Sequence, residues 1–289
     1  MRYTRRTLLA MAAAAAPPAS GARVGPSKGT LIVIGGGDLD SLILGRFLAE
    51  AGGPAAPVLF VPTAGDKDHY PPDDPSAHFL KRAGCQNLEI LHTRDRREAD
   101  SDAFAARVRH ARGVFFGGGR QWRLVDSYLG TRTQREFDAL LLRGGVIAGT
   151  SAGATIQGSY LVRGAREGNT IMMAPGYEQG FGYLRGVAID QHLLKRKREN
   201  DLVAVIDKHP NLLGIGIDEN TAIVVRGDRF EVIGVSKVAI YDRKFKPPTP
   251  AGARFYFLNA GDQFDLRSRK AGGRSNPRSS KYRGRDDDA

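Results

Sequence analysis

One stretch of this 289-residue chain combines residue types that could attack a carbonyl carbon. Gly144-Gly145-Val146-Ile147-Ala148 leads into Gly149-Thr150-Ser151-Ala152-Gly153, and Ala154-Thr155 follow. G-x-S-x-G between a buried strand and a helix describes a nucleophile elbow. Small neighbours permit the tight turn, and the serine hydroxyl projects at the strand's carboxyl end. The following helix would aim its N-terminal dipole at the same point. There the N–H of Ala152 could donate to an oxyanion. The same letters also suit a glycine-rich tight turn with a packing serine.

A serine hydroxyl needs a base. Of the six histidines, His192 stands out, because the apolar Ala188-Ile189 delivers it within the polar run Asp190-Gln191-His192. Lys195-Arg196-Lys197-Arg198 follows closely. The base in turn needs an orienting acid. Asp218 and Glu219 both end the apolar run Gly214–Ile217, where ligand sites of α/β sheets gather. Position alone does not separate them.

The elements that must hold these residues are legible in outline. Thr30–Ile34, Pro57–Pro62, Leu88–Leu91, Gly113–Phe116 and Gly145–Gly149 are continuous apolar runs, as in strands buried on both faces. Asp40–Ala51, Ala77–Ala83, Asp100–Ala111, Trp122–Leu129 and Thr133–Leu142 between them have helical character. The alternation predicts one doubly wound α/β domain with a mostly parallel sheet. From Gly214 onward short strands separated by turn residues predict antiparallel hairpins closing one edge. Gly35-Gly36-Gly37-Asp38 after the first strand matches no phosphate-binding pattern and reads as a tight turn.

Four blocks in order then resemble the cyanophycinase and dipeptidase E family of serine peptidases. They are Gly35-Gly36-Gly37-Asp38, Phe116-Gly117-Gly118-Gly119-Arg120-Gln121-Trp122-Arg123-Leu124, Gly149–Ala154, and Asp190-Gln191-His192 with Arg196 and Arg198 and the later Gly216–Ala222. Together they cover about residues 29–235. The resemblance implies a flavodoxin-like sheet related to class I glutaminases, with Ser151 as nucleophile, His192 as base and Glu219 as orienting carboxylate. It implies a second oxyanion donor from Gly118 or Gly119. It also implies a substrate pocket involving Gln121, Asp190, Gln191, Arg196 and Arg198. The family's substrates are aspartyl peptides, and cyanophycinases cut a β-linked Asp-Arg polymer. The substrate expected here is therefore an acidic or β-aspartyl peptide, whose free carboxylate an arginine can bind bidentately. Two positions depart from the family pattern. Arg120 stands where an aspartate is frequent, and Asp201 stands where cyanophycinases tend to carry a third arginine. Asp201 is expected to repel the substrate carboxylate. A catalytically silent binding protein on this scaffold, or a serine esterase or amidase, are the alternatives. No cofactor and no metal are expected.

The net charge of +12 first suggests nucleic acid. Its distribution argues otherwise. Residues 1–22 hold three arginines and no acid, and residues 266–289 hold eight Lys/Arg against three Asp, which leaves only a third of the excess to the middle. No specific nucleic-acid contact is expected. Residues 1–22 have a basic start, a short apolar run and small residues near Ala22, the layout of a signal peptide. Arg5-Arg6 suggests the twin-arginine route, and the expected location is periplasmic or secreted. That apolar run is too short to span a bilayer. Residues 23–265 are expected to form the peptidase domain. Residues 266–289, rich in Gly, Ser and Arg, are expected to form a basic disordered tail that could touch a polyanion. The oligomeric state stays open, a homodimer among the alternatives. The single cysteine, Cys85, excludes an intramolecular disulfide framework.

Overall fold

The computed structural model describes residues 23–244 and 253–273. Five parallel strands form its centre: β1 (Thr30–Ile34), β2 (Val58–Val61), β3 (Leu88–Ile90), β4 (Gly113–Phe116) and β5 (Val146–Thr150). They lie in the order β1-β5-β4-β2-β3. β1, β2 and β4 are buried at every position, which is why they read as unbroken apolar runs. The helices between them are α1 (Ser41–Ala51), α2 (His78–Arg82), α3 (Arg96–Ala99), α4 (Asp102–Arg109), α5 (Gln121–Tyr128) and α6 (Arg132–Leu142). Local chemistry sets their starts. Asp40, Ser101 and Thr131 each accept a hydrogen bond from a backbone N–H in the first turn of α1, α4 and α6. α1 ends at Gly52, whose φ of 106° places it in the left-handed region.

The second half of the chain departs from the expected single sheet. After the short α7 (Ala152–Thr155) come β6 (Gly158–Tyr160), β7 (Leu184–Gln191), α8 (Asp201–Lys208) and β8 (Leu213–Ile217). β9 (Thr221–Arg226), β10 (Arg229–Gly234), β11 (Lys237–Tyr241), β12 (Tyr256–Asn259), β13 (Gln263–Asp265) and β14 (Lys270–Gly272) follow. β9, β10, β13 and β14 extend the main sheet antiparallel from β1. β12, β11, β8, β7 and β6 form a separate five-stranded sheet in that order. The chain crosses between the sheets at Asp218–Asn220, between β8 and β9.

Strand alternation assigns the layers. Ile32, Ile34, Phe60, Phe115 and Val224 pack against Phe47 and Leu48 of α1. Leu31, Val33, Val61, Phe116 and Ile147 face the opposite way, into a core shared with α4, α5, α6 and the inner face of the second sheet, including Val187, Ile189, Ile215 and Val238. The second sheet's other face presents Ala188, Ala239 and Tyr241 to Leu202, Val205 and Ile206 of α8.

The folded structure runs past residue 265. Leu266 is buried, β14 pairs with β13, and Arg269 bonds Asp242. The domain therefore reaches at least Gly273, because that hairpin supplies ladder partners and an ion pair that composition does not reveal. Residues 1–22 and 274–289 lie outside the described residues.

Candidate active site

Ser151 follows β5 with φ 54° and ψ −112°, far outside the regions an L-residue ordinarily occupies. Two glycines make this possible. A Cβ on Gly149 would lie 2.1 Å from the carbonyl oxygen of Gly153, and one on Gly153 would lie 2.3 Å from that of Phe116. Either clash would push the turn off β4 and β5. The spacing of G-x-S-x-G is thus a packing requirement. Helix α7 is a single turn, so the strong dipole expected behind Ser151 is reduced to local N–H groups. The N–H of Ala152, first in that turn, has no intrahelical acceptor.

His192 directly follows β7, also with positive φ (54°), and its N–H donates to Gly35 O at 2.8 Å. Its Nε2 lies 3.0 Å from Ser151 Oγ and its Nδ1 lies 2.6 Å from Glu219 Oε1. Ser151, His192 and Glu219 come from the ends of β5 and β7 and from the crossover between the two sheets. A hydroxyl, an imidazole and a carboxylate in this series can pass a proton from the hydroxyl to the ring while the carboxylate holds the tautomer. The loop after β1 closes over it. A Cβ on Gly36 would lie 2.2 Å from His192 Cε1, so only glycine lets the ring sit there. Asn220, the third non-glycine residue with φ 54°, donates its N–H to Gly36 O and ties the crossover to the same loop.

Asp218 has different work from Glu219. Its Oδ1 accepts the N–H groups of Leu194 and Lys195, each at 2.9 Å, and its Oδ2 accepts Ser236 Oγ at 2.6 Å. It anchors the turn after His192 and does not meet the imidazole.

Of the expected oxyanion glycines, Gly118 backs onto the serine: its Cβ position would be 3.4 Å from Ser151 Cβ and 3.8 Å from Oγ. Gly119, with φ 137°, turns instead toward Ala64, whose carbonyl oxygen would be 2.1 Å from an added Cβ. Gly119 therefore serves the close packing of the loop against Ala64, and Gly118 is the member adjacent to Ser151.

The expected substrate residues separate into two groups. Arg196 is exposed, while Arg198 is 7% exposed and donates to Gln191 O (3.2 Å) and Oε1 (3.1 Å). Arg198 has no carboxylate partner among the described residues. Burial and the neighbouring Arg163 pull its pKa down. Gln191 thus belongs with Arg198. Asp190 and Gln121 do not line an open surface. Asp190 is fully buried beneath Arg163, and Gln121, 2% exposed, donates its amide to Val162 O at 2.9 Å. Both hold the 161–166 loop from inside, because each finds a partner far away in sequence. Asp201, expected to repel substrate, is paired with Arg163 at 2.5 Å. Arg163, which holds both aspartates, carries no pattern in its own stretch of sequence. The one signal for it lies elsewhere, in two aspartates at 190 and 201 that each need a cation.

His192's pKa is drawn below the ordinary 6.5, chiefly by burial and further by Arg196 and Arg198, against the raising effect of Glu219. A lowered pKa keeps the ring neutral, and so able to accept a proton, at every pH above 6.5. With His192 as base, kcat/KM should fall on the acid side along a limb whose midpoint lies below pH 6.5. Arg196→Gln should move that midpoint upward. A pH–rate profile with its acid limb centred above pH 7 would contradict this assignment.

Comparison with known proteins gives the arrangement its relatives. The model of peptidase family S51 matches residues 30–233, a span that contains Ser151, His192 and Glu219. The chain belongs to peptidase family S51. It is therefore a serine-type peptidase. A cyanophycinase of Trichormus variabilis is 31% identical over 267 residues, covering 84% of this chain and 87% of the relative. One from Geminocystis herdmanii is 29% identical over 260 residues, covering 83% and 95%. Among solved structures, a peptidase from an acI-B1 actinobacterium matches with a TM-score of 0.61 at 24% identity, covering 83% of this chain and 98% of the other. A putative peptidase E protein from Listeria monocytogenes matches with a TM-score of 0.51 at 14% identity, covering 72% and 99%. These two likenesses concern the fold, and the S51 fold is the one built above.

Proposed function

We propose that this S51 peptidase hydrolyses aspartyl or β-aspartyl peptide bonds through an acyl-enzyme. Ser151 is the nucleophile, His192 the base and then the acid, and Glu219 the carboxylate that orients the imidazole. The observation that carries this reading is the unbroken hydrogen-bonded series Ser151–His192–Glu219 at the carboxyl edge of the sheets. Ser151 Oγ attacks the scissile carbonyl as His192 Nε2 takes its proton. The N–H groups of Ala152 and Gly118 stabilise the oxyanion, each worth about 10²–10³ in rate in comparable sites. The protonated His192 then gives its proton to the leaving amine, and water repeats the sequence in reverse to release the acid.

The substrate class rests on Arg198. A buried guanidinium without a carboxylate is costly to maintain, and a substrate carboxylate would complete it. Arg196 at the surface adds to the positive field near His192. A silent binding protein has less support, since hydrogen-bonding distances join the three groups it had no need to align. Export to the periplasm or medium, proposed from residues 1–22, places the peptidase where external peptides are available.

Incubating the purified enzyme with the β-linked Asp-Arg polymer and with matched α- and β-aspartyl dipeptides, followed by mass spectrometry, tests the reading. Cleavage is expected for peptides with a free carboxylate beside the scissile bond and not for their amidated counterparts. Equal turnover of amidated and free peptides would remove Arg198 from substrate binding. Faster turnover of simple esters would favour an esterase.

A further inference from the structure

Four charged groups are packed together beside the His192 turn. Arg163 is 1% exposed. Its Nε and Nη2 donate to the two oxygens of Asp190 at 2.7 and 2.8 Å. Nη2 also donates to Asp201 Oδ2 at 2.5 Å, and Nη1 donates to Asn169 O at 2.7 Å. Asp190 Oδ1 additionally accepts the N–H of Gln191 at 2.9 Å. The fourth group, the Arg198 guanidinium, feels the charges of Arg163, Asp190 and Asp201, yet among the described residues it donates to Gln191 and to neither carboxylate. Two cations and two anions share one region, and both anions are held by the same cation.

We infer that Arg163 is a positioning residue for the substrate-binding cation. By engaging Asp190 and Asp201 together, it withholds both carboxylates from Arg198 and leaves that guanidinium open to a substrate carboxylate. The inference rests on the substrate reading above and deepens it. The planar fork of arginine suits the task, because it can bond two carboxylates at once where a lysine ammonium acts as a point charge. The backbone is bent to deliver it: Arg163 has φ 58°, an uncommon conformation for a long side chain. The arrangement also explains how an aspartate at 201 is tolerated beside an acidic ligand. Its carboxylate is turned to Arg163 and hydrogen-bonded there.

The test is calorimetric binding of a β-aspartyl dipeptide to the full chain carrying Ser151→Ala, which prevents turnover. Adding Arg163→Met should weaken binding about tenfold or more, the value of a charge-assisted hydrogen bond lost when Asp190 and Asp201 turn to Arg198. Adding Asp190→Asn and Asp201→Asn to Arg163→Met should restore the affinity, since no rival carboxylate remains. A purely structural ion cluster predicts instead that affinity only follows the melting temperature, with no difference between variants at a temperature where all are folded. If Arg163→Met does not fold, Arg163→Lys against Arg163→Lys with Asp201→Asn makes the same comparison, with weakening in the first and recovery in the second. Unchanged affinity in Arg163→Met or Arg163→Lys, or no recovery on neutralising the aspartates, overturns the role of Arg163 alone. A Ser151→Ala parent that binds no acidic dipeptide overturns the substrate reading, and this inference with it.

Discussion

Ser151→Ala is expected to lower kcat about a million-fold, the scale seen when a serine peptidase loses its nucleophile. It should also abolish covalent labelling by a fluorophosphonate probe. The oxygen removed is the one proposed to form the acyl bond, and neither neighbouring threonine is placed to replace it: Thr155 Oγ1 donates back to Ser151 O, and Thr150 lies on the strand before the turn. The fold should survive. The turn is held by Gly149, by Gly153 and by the N–H of Ser151 bonded to Ile34 O at 3.1 Å, none of which uses the side chain. Circular dichroism and thermal unfolding should match the parent while labelling disappears. Undiminished labelling in the variant would place the nucleophile elsewhere.

The second large effect belongs to Glu219. Glu219→Gln should cost about 10⁴ in kcat, as for the corresponding change in other triads. A carboxylate can only accept at His192 Nδ1, so Nε2 is left with its lone pair toward Ser151. An amide of the same shape can donate instead and stabilise the tautomer that points Nε2–H at the serine. Asp218→Asn is the informative contrast. Asp218 bonds Leu194, Lys195 and Ser236, so its replacement should lower the melting temperature and reduce activity far less. If Asp218→Asn were the more damaging to kcat while leaving stability intact, the orienting carboxylate would have been misassigned. The two neighbouring acids, indistinguishable by position in the sequence, differ in partners contributed by distant segments.

The central strands are readable because burial on both faces removes polar residues from them, and the helices because one face is apolar and their caps are local. β7 is harder to recognise. Its Leu-Arg-Gly start and Asp-Gln end break the apolar run, and Asp190 is buried only because Arg163 arrives from a distant loop. α8 is hidden by its length and by valines that suit a strand as well. The split of the C-terminal strands between two sheets depends on which neighbour each strand meets, a long-range fact that alternation within a strand does not carry. For the site, block order points to Ser151, His192 and Glu219, and the structure brings these three into hydrogen-bonding contact. Asp190 and Gln121 resemble pocket residues because a polar side chain near a site looks alike in sequence whether it faces water or a buried partner. Glycine runs likewise do not say which member turns toward the serine, and here Gly118 does and Gly119 does not.

The crossover at Asp218–Asn220 also bears on how the molecule comes apart. Ser151 follows a strand of the nine-stranded sheet, His192 follows one of the five-stranded sheet, and Glu219 lies in the segment joining them. Neither sheet alone contains a competent set. Cooperative units of a protein open with different free energies, so partial opening of the smaller sheet would disperse the three groups while most of the larger sheet kept its protected amides. If the proposed triad is the active one, activity depends on the contact between the two sheets, and a chain in which they have not yet met has Ser151, His192 and Glu219 apart.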